Sequence, residues 1–316
     1  MSKIIGIDTS NYTTSCALFD TDTFNIIQAK KLLPVKSNEL GLRQSDAVFH
    51  HIKQFPDLIS SLNGIDKDLI AVGVSTKPRW VEKSYMPCFL VGETIAQSIA
   101  VSSGIDVFRT SHQVGHILAA LYSANKLSFL HGDKFLAFHV SGGTTDCLLC
   151  TPDEKEVLKV KEVGTSLDLK AGQAIDRVGV MLGLQFPCGK ELEILAEGSK
   201  KEFIVKPTLK GNDCCISGLE NKCKKMLIDK EDYADIAKYC LTYIAQTVDG
   251  MAREAVENYG DIPIIFAGGV MSNKYIKSRL ENNFKSFFAK PEFSCDNACG
   301  TAIFAAIRKG ILWVQS

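Results

Sequence analysis

Hydrophobic and polar positions predict strands and helices in alternation along the first third of the chain. The stretch Lys3–Asp8 is a short apolar run that ends in an aspartate, which is typical of a buried strand. Further strands are expected at residues 16–20, 25–31, 69–75 and 107–110, with helices at 44–62 and 90–103. On the 44–62 helix one stripe is apolar, whereas the adjacent His50 and His51 diverge and are expected at the solvated surface.

The same order of elements returns further along the chain. Strands are predicted at Phe135–Val140, 146–150, 157–163, 262–266 and 287–289, and helices at 167–184, 190–196, 219–228, 233–258, 273–284 and 297–309. Each half opens with a strand, a small polar turn and two more strands, which predicts a duplicated α/β fold with a cleft between two lobes. We expect one lobe at residues 1–110, joined by a C-terminal helix at 297–316, and the other at residues 111–296.

Composition is that of a soluble globular protein. The 316 residues are 46% hydrophobic and 23% charged, and no apolar run approaches the roughly 18 to 20 residues of a membrane span. Because no secretory signal is visible, a cytoplasmic location is expected. The eleven cysteines form no disulfide framework. Cys147 and Cys150 form a C-x-x-C, yet they lie on a predicted strand, which favours buried thiols over a redox or zinc motif.

The formal net charge of zero leaves any nucleic-acid contact to a local surface. One basic stretch lies between Lys200 and Lys225. It is either a solvated lysine-rich face or a surface that contacts a phosphate backbone.

Two turns and one strand end are candidates for phosphate and nucleotide binding. Asp8 to Ser10 and Ser141 to Thr144 are short turns that can direct backbone N–H groups at phosphate oxygens. Gly268 and Gly269 end a buried strand, and Ser272 or Asn273 would cap the helix that follows, so a base or ribose could pack there against backbone.

Metal ligands are suggested by histidine spacing. His112 and His116 lie four apart on a predicted helix and therefore share one face. Asp296 could complete the set, although its position before the last helix also fits an N-cap. Asp176 could accept a hydrogen bond from a ribose or pair with Arg177. A zinc peptidase needs a glutamate after the first histidine, and the chain has glutamine there.

The motifs in their order resemble one family. They are G-I-D-T-S at 6–10, H-x-x-x-H at 112–116, V-S-G-G at 140–143, A-I-D at 174–176, A-G-G-V at 267–270 with Asn273, and C-D-N at 295–297. This set is similar to the tRNA threonylcarbamoyladenosine synthases, formerly called O-sialoglycoprotein endopeptidases or glycoproteases. The resemblance extends nearly end to end and identifies a divergent paralogue.

The resemblance implies an α/β fold of the actin, heat-shock chaperone and sugar kinase class (ASKHA) with a nucleotide cleft. It implies transfer of a threonylcarbamoyl group from its adenylate to the adenosine next to the anticodon of tRNA. The cofactors would be one iron or zinc ion and ATP or the acyl-adenylate, with magnesium as a further expectation. The partners would be tRNA, through Lys200 to Lys225, and a paralogous protein or a second copy of this chain, with no membrane.

The resemblance also implies roles for individual residues. The metal would be held by His112, His116 and Asp296, and Asp8 and Ser10 are the candidate catalytic residues. The adenylate would be contacted by His139, Val140, Ser141, Gly142, Gly143, Thr144, Asp176, Gly189, Gly268, Gly269 and Asn273.

The chain departs from the family pattern in two places. Typical members have I-E-T-S-C-D-E near the start, and here Tyr12 and Thr13 stand where the two acids would be. Typical members also have a G-P-G loop where this chain has Arg79, Trp80 and Tyr85. Three functions therefore stay open: threonylcarbamoyl transfer to tRNA, carbamoyl or acyl transfer to another acceptor, and a non-catalytic partner subunit.

Overall fold

The computed structural model describes residues 2–10, 12–34, 42–62, 68–81 and 84–312. The strands are β1 (Lys3–Asp8), β2 (Thr13–Asp20), β3 (Ile26–Leu32), β4 (Leu69–Lys77), β5 (Asp106–Ser111), β6 (Phe135–Val140), β7 (Thr145–Asp153), β8 (Val157–Thr165), β9 (Thr208–Lys210), β10 (Asp213–Cys215), β11 (Ile264–Ala267) and β12 (Ser286–Phe288). The helices are α1 (Gln44–Ser61), α2 (Phe89–Ser103), α3 (His112–Ser123), α4 (Ala171–Met181), α5 (Gly189–Glu197), α6 (Gly218–Ile228), α7 (Tyr233–Tyr259), α8 (Lys274–Leu280) and α9 (Cys299–Arg308). None of these helices is both long enough and apolar enough to span a bilayer.

The chain divides into two compact units. The first comprises Met1–Gly132, Pro152–Lys159 and Cys295–Ser316, and the second comprises Asp133–Thr151 and Val160–Ser294. This division differs from the boundary expected near residues 110 and 111, because α3 continues from β5 and packs on α9 within the first unit. All three candidate metal ligands thus belong to the first unit. The C-terminal helix ends at Arg308, and residues 313–316 of the expected helix lie outside the described residues.

The first unit is built on a five-stranded sheet in the order β3-β2-β1-β4-β5. The pairs β3-β2 and β2-β1 are antiparallel, and β1-β4 and β4-β5 are parallel. Strand β1 is covered on both faces, since Ile5 and Ile7 pack in the core toward α1 and α2 while Ile4 packs against α9. Burial on both faces accounts for the continuous apolar run that begins the chain.

The second unit repeats this topology. Its sheet has the order β12-β11-β6-β7-β8, with β6-β7 antiparallel and β11 parallel to both β6 and β12. The predicted duplicated, two-lobed α/β fold is therefore confirmed. The small hairpin of β9 and β10 was not predicted, because three-residue strands carry too little periodicity to detect.

Helix α9 lies against its neighbours through glycines. A Cβ atom at Gly300 would be 1.7 Å from the carbonyl oxygen of Gly115 in α3, and one at Gly6 in β1 would be 2.3 Å from the carbonyl oxygen of Ala298. Real Cβ atoms are not found this close to backbone oxygens, so only glycine permits the approach. This close packing brings the start of α9 to the first turns of α3.

Two sequence expectations in the elements are corrected. His51 is fully buried, and its Nδ1 lies 2.8 Å from the Thr14 hydroxyl. The face of α1 that packs on β2 therefore includes a polar side chain and is not a purely apolar stripe. Helix α4 begins at Ala171 rather than 167, because the Asp168 carboxylate accepts hydrogen bonds from the amides of Leu169 and Ile216 and holds this stretch as a loop.

The C-x-x-C cysteines are buried thiols on β7, as the sequence favours. Cys147 and Cys150 are both free, and burial raises the pKa of each thiol. Thiols of this kind are poor metal ligands and poor nucleophiles.

The contact between α9 and α3 predicts that alanine lowers stability at one of its two glycines and not at the other. Gly300→Ala should destabilise the fold by about 1–3 kcal/mol or more, because the new methyl overlaps a backbone carbonyl that cannot retreat. Gly115→Ala is the matched control, since a Cβ atom there would have its nearest neighbour at 3.7 Å and should be tolerated. Urea unfolding followed by circular dichroism measures both. Equal stability of the two variants would contradict the close packing.

Candidate functional site

The two candidate histidines are presented by the first turns of α3. Ser111 caps this helix, with its hydroxyl accepting a hydrogen bond from the Val114 amide at 3.2 Å. His112 and His116 follow one turn apart on the same face, and their Nε2 atoms are 3.0 Å apart. The helical spacing therefore brings both imidazoles to one point, as predicted.

Asp296 reaches the same point from the far end of the chain. Its Oδ1 is 3.1 Å from His116 Nε2 and 3.6 Å from His112 Nε2. The alternative role of Asp296 as a helix cap is wrong, because α9 begins later and it is Asn297 Oδ1 that accepts a hydrogen bond from the Cys299 amide. The Thr13 hydroxyl donates to Asp296 Oδ2 at 3.4 Å, a neighbour that sequence reasoning did not find.

The separations between the three donor atoms fit a single cation. Ligands bound at about 2.1 Å with angles between right and tetrahedral lie roughly 3.0–3.4 Å apart. The observed distances of 3.0, 3.1 and 3.6 Å are close to that range. Two imidazoles and one carboxylate are a donor set typical of transition metals with open coordination positions. The chemistry and spacing of His112, His116 and Asp296 thus fit a metal ion.

Asp8, at the end of β1, holds the first of these histidines. Its Oδ2 lies 2.9 Å from His112 Nδ1, and its Oδ1 accepts a hydrogen bond from the Ser10 amide at 2.8 Å. Burial alone would raise the pKa of this carboxyl, but the charge of His112 and the hydrogen bonds from His112 and Ser10 lower it instead. An ionised carboxylate only accepts, so Nδ1 of His112 carries the hydrogen and Nε2 faces the other donors.

The surroundings of His112 favour positive charge. Burial acts to lower the pKa of this imidazole, but the carboxylates of Asp8 and Asp296 more than offset it and raise the pKa to about 9. The fully enclosed Asp8 side chain is placed to orient a histidine rather than to touch a substrate. The Ser10 hydroxyl is also buried, and within the described residues its Oγ has no hydrogen-bond partner.

The candidate nucleotide residues gather in the second unit. The Ser141 amide donates to the Thr144 carbonyl at 2.9 Å, which closes the turn between β6 and β7. This turn lies on the start of α4, since the Gly172 amide donates to the Ser141 carbonyl and a Cβ at Gly172 would be 2.6 Å from the Gly142 amide nitrogen. Among the described residues other than their chain neighbours, no atom lies within 4 Å of the Cβ positions of Gly142 or Gly143, so the outer side of the turn is open.

The glycine-ended strand lies next to this turn. Ala267 pairs with His139 across β11 and β6, so Gly268 comes directly beside Val140. Gly268 has φ +101°, and a Cβ there would be 2.2 Å from the Val140 carbonyl oxygen. Only glycine fits this position. Gly269 follows, with open space at its own Cβ position.

Asn273 and Gly189 begin two helices that are tied together. Of the two predicted caps, Ser272 and Asn273, it is Asn273 that caps α8, by accepting a hydrogen bond from the Ile276 amide at 3.0 Å. The Lys274 amide donates to Glu193 Oε1 at 2.6 Å, which joins the start of α8 to α5. Gly189 is the first residue of α5.

Asp176 lies on α4 beside a cavity of about 560 Å³ whose lining includes Gln173 and Phe186. Partial burial raises the pKa of its carboxyl, although a hydrogen bond from the Cys188 amide acts against this. The alternative that Asp176 serves Arg177 is wrong, since the guanidinium of Arg177 pairs with Glu220 at 2.9 Å.

The basic stretch is partly neutralised. Lys201 pairs with Asp235 at 2.7 Å and with Glu231 at 3.5 Å, so its charge is neutralised by α7 and the residues before it.

The structure describes the residues that depart from the family pattern, which are Tyr12, Thr13, Arg79, Trp80 and Tyr85. Their neighbours Asn11, Glu82 and Lys83 lie outside the described residues.

Comparison with known proteins decides the family. A model of the tRNA N6-adenosine threonylcarbamoyltransferase (TsaD) family matches residues 30–303. The chain belongs to this family. Its members are acyl-type transferases that act on tRNA. The tRNA N6-adenosine threonylcarbamoyltransferase of Wigglesworthia glossinidia brevipalpis is 28% identical over 330 residues, covering 96% of this chain and 92% of that protein.

Solved structures extend the likeness to the fold. Component A of (R)-2-hydroxyglutaryl-CoA dehydratase from Acidaminococcus fermentans is 14% identical with a TM-score of 0.55, over 98% of this chain and 99% of the other. The ROK hexokinase of Thermus thermophilus is 12% identical with a TM-score of 0.52, over 98% and 99%. Full-length HypF is 13% identical with a TM-score of 0.59, over 100% of this chain and 47% of HypF. The two-lobed ASKHA class is thereby established for this TsaD-family chain.

The contact between Asp8 and His112 predicts a dependence of metal affinity on Asp8. Asp8→Asn should weaken binding of zinc about 10- to 100-fold, because the imidazole loses the carboxylate that fixes its tautomer and orientation. Competition with a chelating dye measures the affinity, with His112→Ala/His116→Ala as the reference for an empty site. The control is Asp57→Asn, an exposed carboxylate on α1. Equal affinities of the Asp8 and Asp57 variants would show that Asp8 has no such role.

Proposed function

We propose that this protein transfers a threonylcarbamoyl-type group from its adenylate to the adenosine next to the anticodon of tRNA, using one divalent metal. The observation that carries the proposal is the convergence of His112 Nε2, His116 Nε2 and Asp296 Oδ1, whose separations of 3.0, 3.1 and 3.6 Å suit the ligands of one ion. A chain that served only as a binding partner would have no need of this donor set.

Iron or zinc is the proposed metal, because imidazole and carboxylate ligands suit both. When bound, the ion would supply Lewis-acid polarisation of a carbonyl or phosphate oxygen. The residues of the chain orient the ligands. Asp8 holds the proton on His112 Nδ1, and the Ser10 amide donates to Asp8, so the turn after β1 fixes the ligand orientation. Thr13 orients the second oxygen of Asp296.

The second unit is the proposed binding site for the adenine nucleotide. The open turn from Ser141 to Thr144 at the start of α4 would receive phosphate, with magnesium as a counter-ion when ATP is bound. Asp176 would accept a ribose hydroxyl. The base would pack on the glycine-ended strand between Gly268 and Asn273, near Gly189.

Nucleotide binding is testable without turnover. We expect ATP to bind and GTP to bind much more weakly in calorimetry. Asp176→Ala should weaken ATP about tenfold or more, since a hydrogen bond to a charged acceptor contributes about 1.5 kcal/mol or more. Glu257→Gln, an exposed carboxylate on α7 that is not part of the lining of the cavity beside Asp176, is the control and should leave the affinity unchanged. Equal binding of ATP and GTP would rule out an adenine site.

A second candidate is transfer of a carbamoyl or related acyl group to another acceptor. It is favoured by the residues that replace the family's acids and G-P-G loop, Tyr12, Thr13 and Trp80. Thr13 occupies space beside Asp296 where an acid would add a further oxygen donor. Other proposals are contact with tRNA through the lysines between Lys200 and Lys225, and assembly with a paralogous protein or a second copy of this chain.

The departures predict a slow enzyme. Losing a general base typically lowers a rate roughly a hundredfold to ten-thousandfold. In a strain that lacks the ordinary enzyme, this protein alone should therefore restore little or no threonylcarbamoyladenosine. Purified protein with the acyl-adenylate and tRNA should still produce the nucleoside above the level of His112→Ala/His116→Ala, as measured by mass spectrometry of digested tRNA.

Two results would change this proposal. Restoration of the nucleoside to the ordinary level would show that Tyr12, Thr13 and the altered loop are tolerated. Product no greater than that of the double-histidine variant would overturn tRNA as the acceptor and favour the second candidate.

A further inference from the structure

The segment that follows β4 is fixed to the start of the helix that carries the candidate metal ligands. Lys77, the last residue of β4, pairs with Ser111, which caps α3. The Gln113 amide donates to the Pro78 carbonyl at 3.0 Å. Because Gln113 follows His112 directly, the backbone of this segment lies beside the metal ligands within the first unit.

The segment presents an aromatic ring with a cation against it. The Trp80 side chain is 41% exposed, and Lys77 Nζ lies 4.5 Å from the centre of its ring. The pairing of β4 with β5 shifts register between Ser75 and Lys77, and a bulge of this kind re-aims the side chains that follow it. The Arg79 amide donates to the Ser84 hydroxyl at 3.1 Å, which fixes the backbone directly before Trp80.

A second aromatic side chain stands beside another residue of the metal centre. Tyr12 is 38% exposed and immediately precedes Thr13, whose hydroxyl donates to Asp296. The Tyr12 carbonyl accepts a hydrogen bond from the Leu33 amide at 2.7 Å, so its backbone position is fixed. The exposed ring of Trp80 is thus linked through the backbone to the His112 side of the centre, and that of Tyr12 to the Asp296 side.

We infer that Lys77 and Trp80 form a stacking platform for an unpaired nucleobase of an RNA acceptor. This inference rests on the proposed function and names the acceptor contact within it. Exposed aromatic rings bind unpaired bases by stacking, worth about 1–3 kcal/mol per base. The ammonium of Lys77 supplies positive charge next to the ring, which suits a nucleotide with its phosphate and not an apolar partner surface.

The test uses the fluorescence of Trp80. The chain contains two tryptophans, Trp80 and Trp313, so Trp313→Phe leaves Trp80 as the single reporter. This variant is titrated with an anticodon stem-loop RNA that has one adenosine next to the anticodon, and with the same RNA lacking that base. We expect saturable quenching by the first RNA and weaker binding of the second.

Substitutions at the platform separate stacking from general charge attraction. Binding of the intact stem-loop, followed by fluorescence anisotropy of a labelled RNA, should weaken about 5- to 150-fold in Trp80→Leu, which corresponds to about 1–3 kcal/mol. Trp80→Phe should retain most of the affinity because a ring is still present. Lys77→Gln should weaken binding and reduce its salt dependence. Phe49→Leu, an exposed ring on α1 of the same unit, is the matched control and should change nothing.

The outcomes distinguish this inference from the proposed function. If purified protein modifies tRNA while Trp80→Leu and wild type have equal KM for tRNA and equal affinity for the stem-loop, the platform is wrong and the proposed function stands. If the stem-loop quenches Trp80 in a base-dependent way but no threonylcarbamoyl group is transferred, the platform stands and the proposed reaction fails. If the stem-loop does not quench Trp80 and Trp80→Leu has no effect on RNA binding, the inference is overturned. A surface that binds a protein partner would give this result.

Discussion

The first unit depends on the close approach of α9 to α3 and β1, where glycines bring backbone atoms into direct contact. Gly300 lies so close to the Gly115 carbonyl that no side chain fits between the two helices, and Gly6 allows the same approach on the strand. Since Asp296 precedes α9 by a short loop, this contact fixes how far its carboxylate reaches. A separation larger by one methyl group would take Asp296 Oδ1 out of bonding range of an ion held by His112 and His116. The position of Asp296, the third candidate ligand, is therefore set by glycines that do not contact it.

The electrostatics of the centre follow from where β1 ends. Asp8 is enclosed, and an unpaired carboxylate there would be costly, because burial of a charge is unfavourable unless it is compensated. His112 and the Ser10 amide provide that compensation. Asp8 and Asp296 together place two negative charges around two imidazoles, and this excess accounts for the raised pKa of His112. The same excess would stabilise a divalent cation, which would replace the proton on the Nε2 side.

The predictable part of this site is what local spacing determines. His112 and His116 share a face because helical periodicity requires it, and the small residues in the Ser141 and Gly268 loops mark where the backbone must turn or approach closely. Asp296 could be assigned only by resemblance, because no local rule links a carboxylate to histidines about 180 residues earlier. The contacts of Asp8 with His112 and of Thr13 with Asp296 could not be predicted from the sequence, since they depend on how β1 lies against α3 and how β2 lies against the residues before α9. His51 was misjudged for a related reason: the partner that satisfies its ring, Thr14, lies on a strand distant in sequence.

The departures from the family pattern lie where the fold tolerates change. The end of β4 is tied to α3 through main-chain groups: Lys77 pairs with Ser111, and the Gln113 amide donates to the Pro78 carbonyl. Its side chains can therefore vary without moving the candidate metal ligands. A glycine-rich loop would leave that space empty, whereas Lys77 and Trp80 fill it with charge and a ring. In the same way Thr13 contributes a hydroxyl to Asp296 from a strand whose backbone pairing with β1 is intact. The geometry of the candidate ligands therefore depends on main-chain atoms of these segments, whereas the surface around the candidate site depends on their side chains.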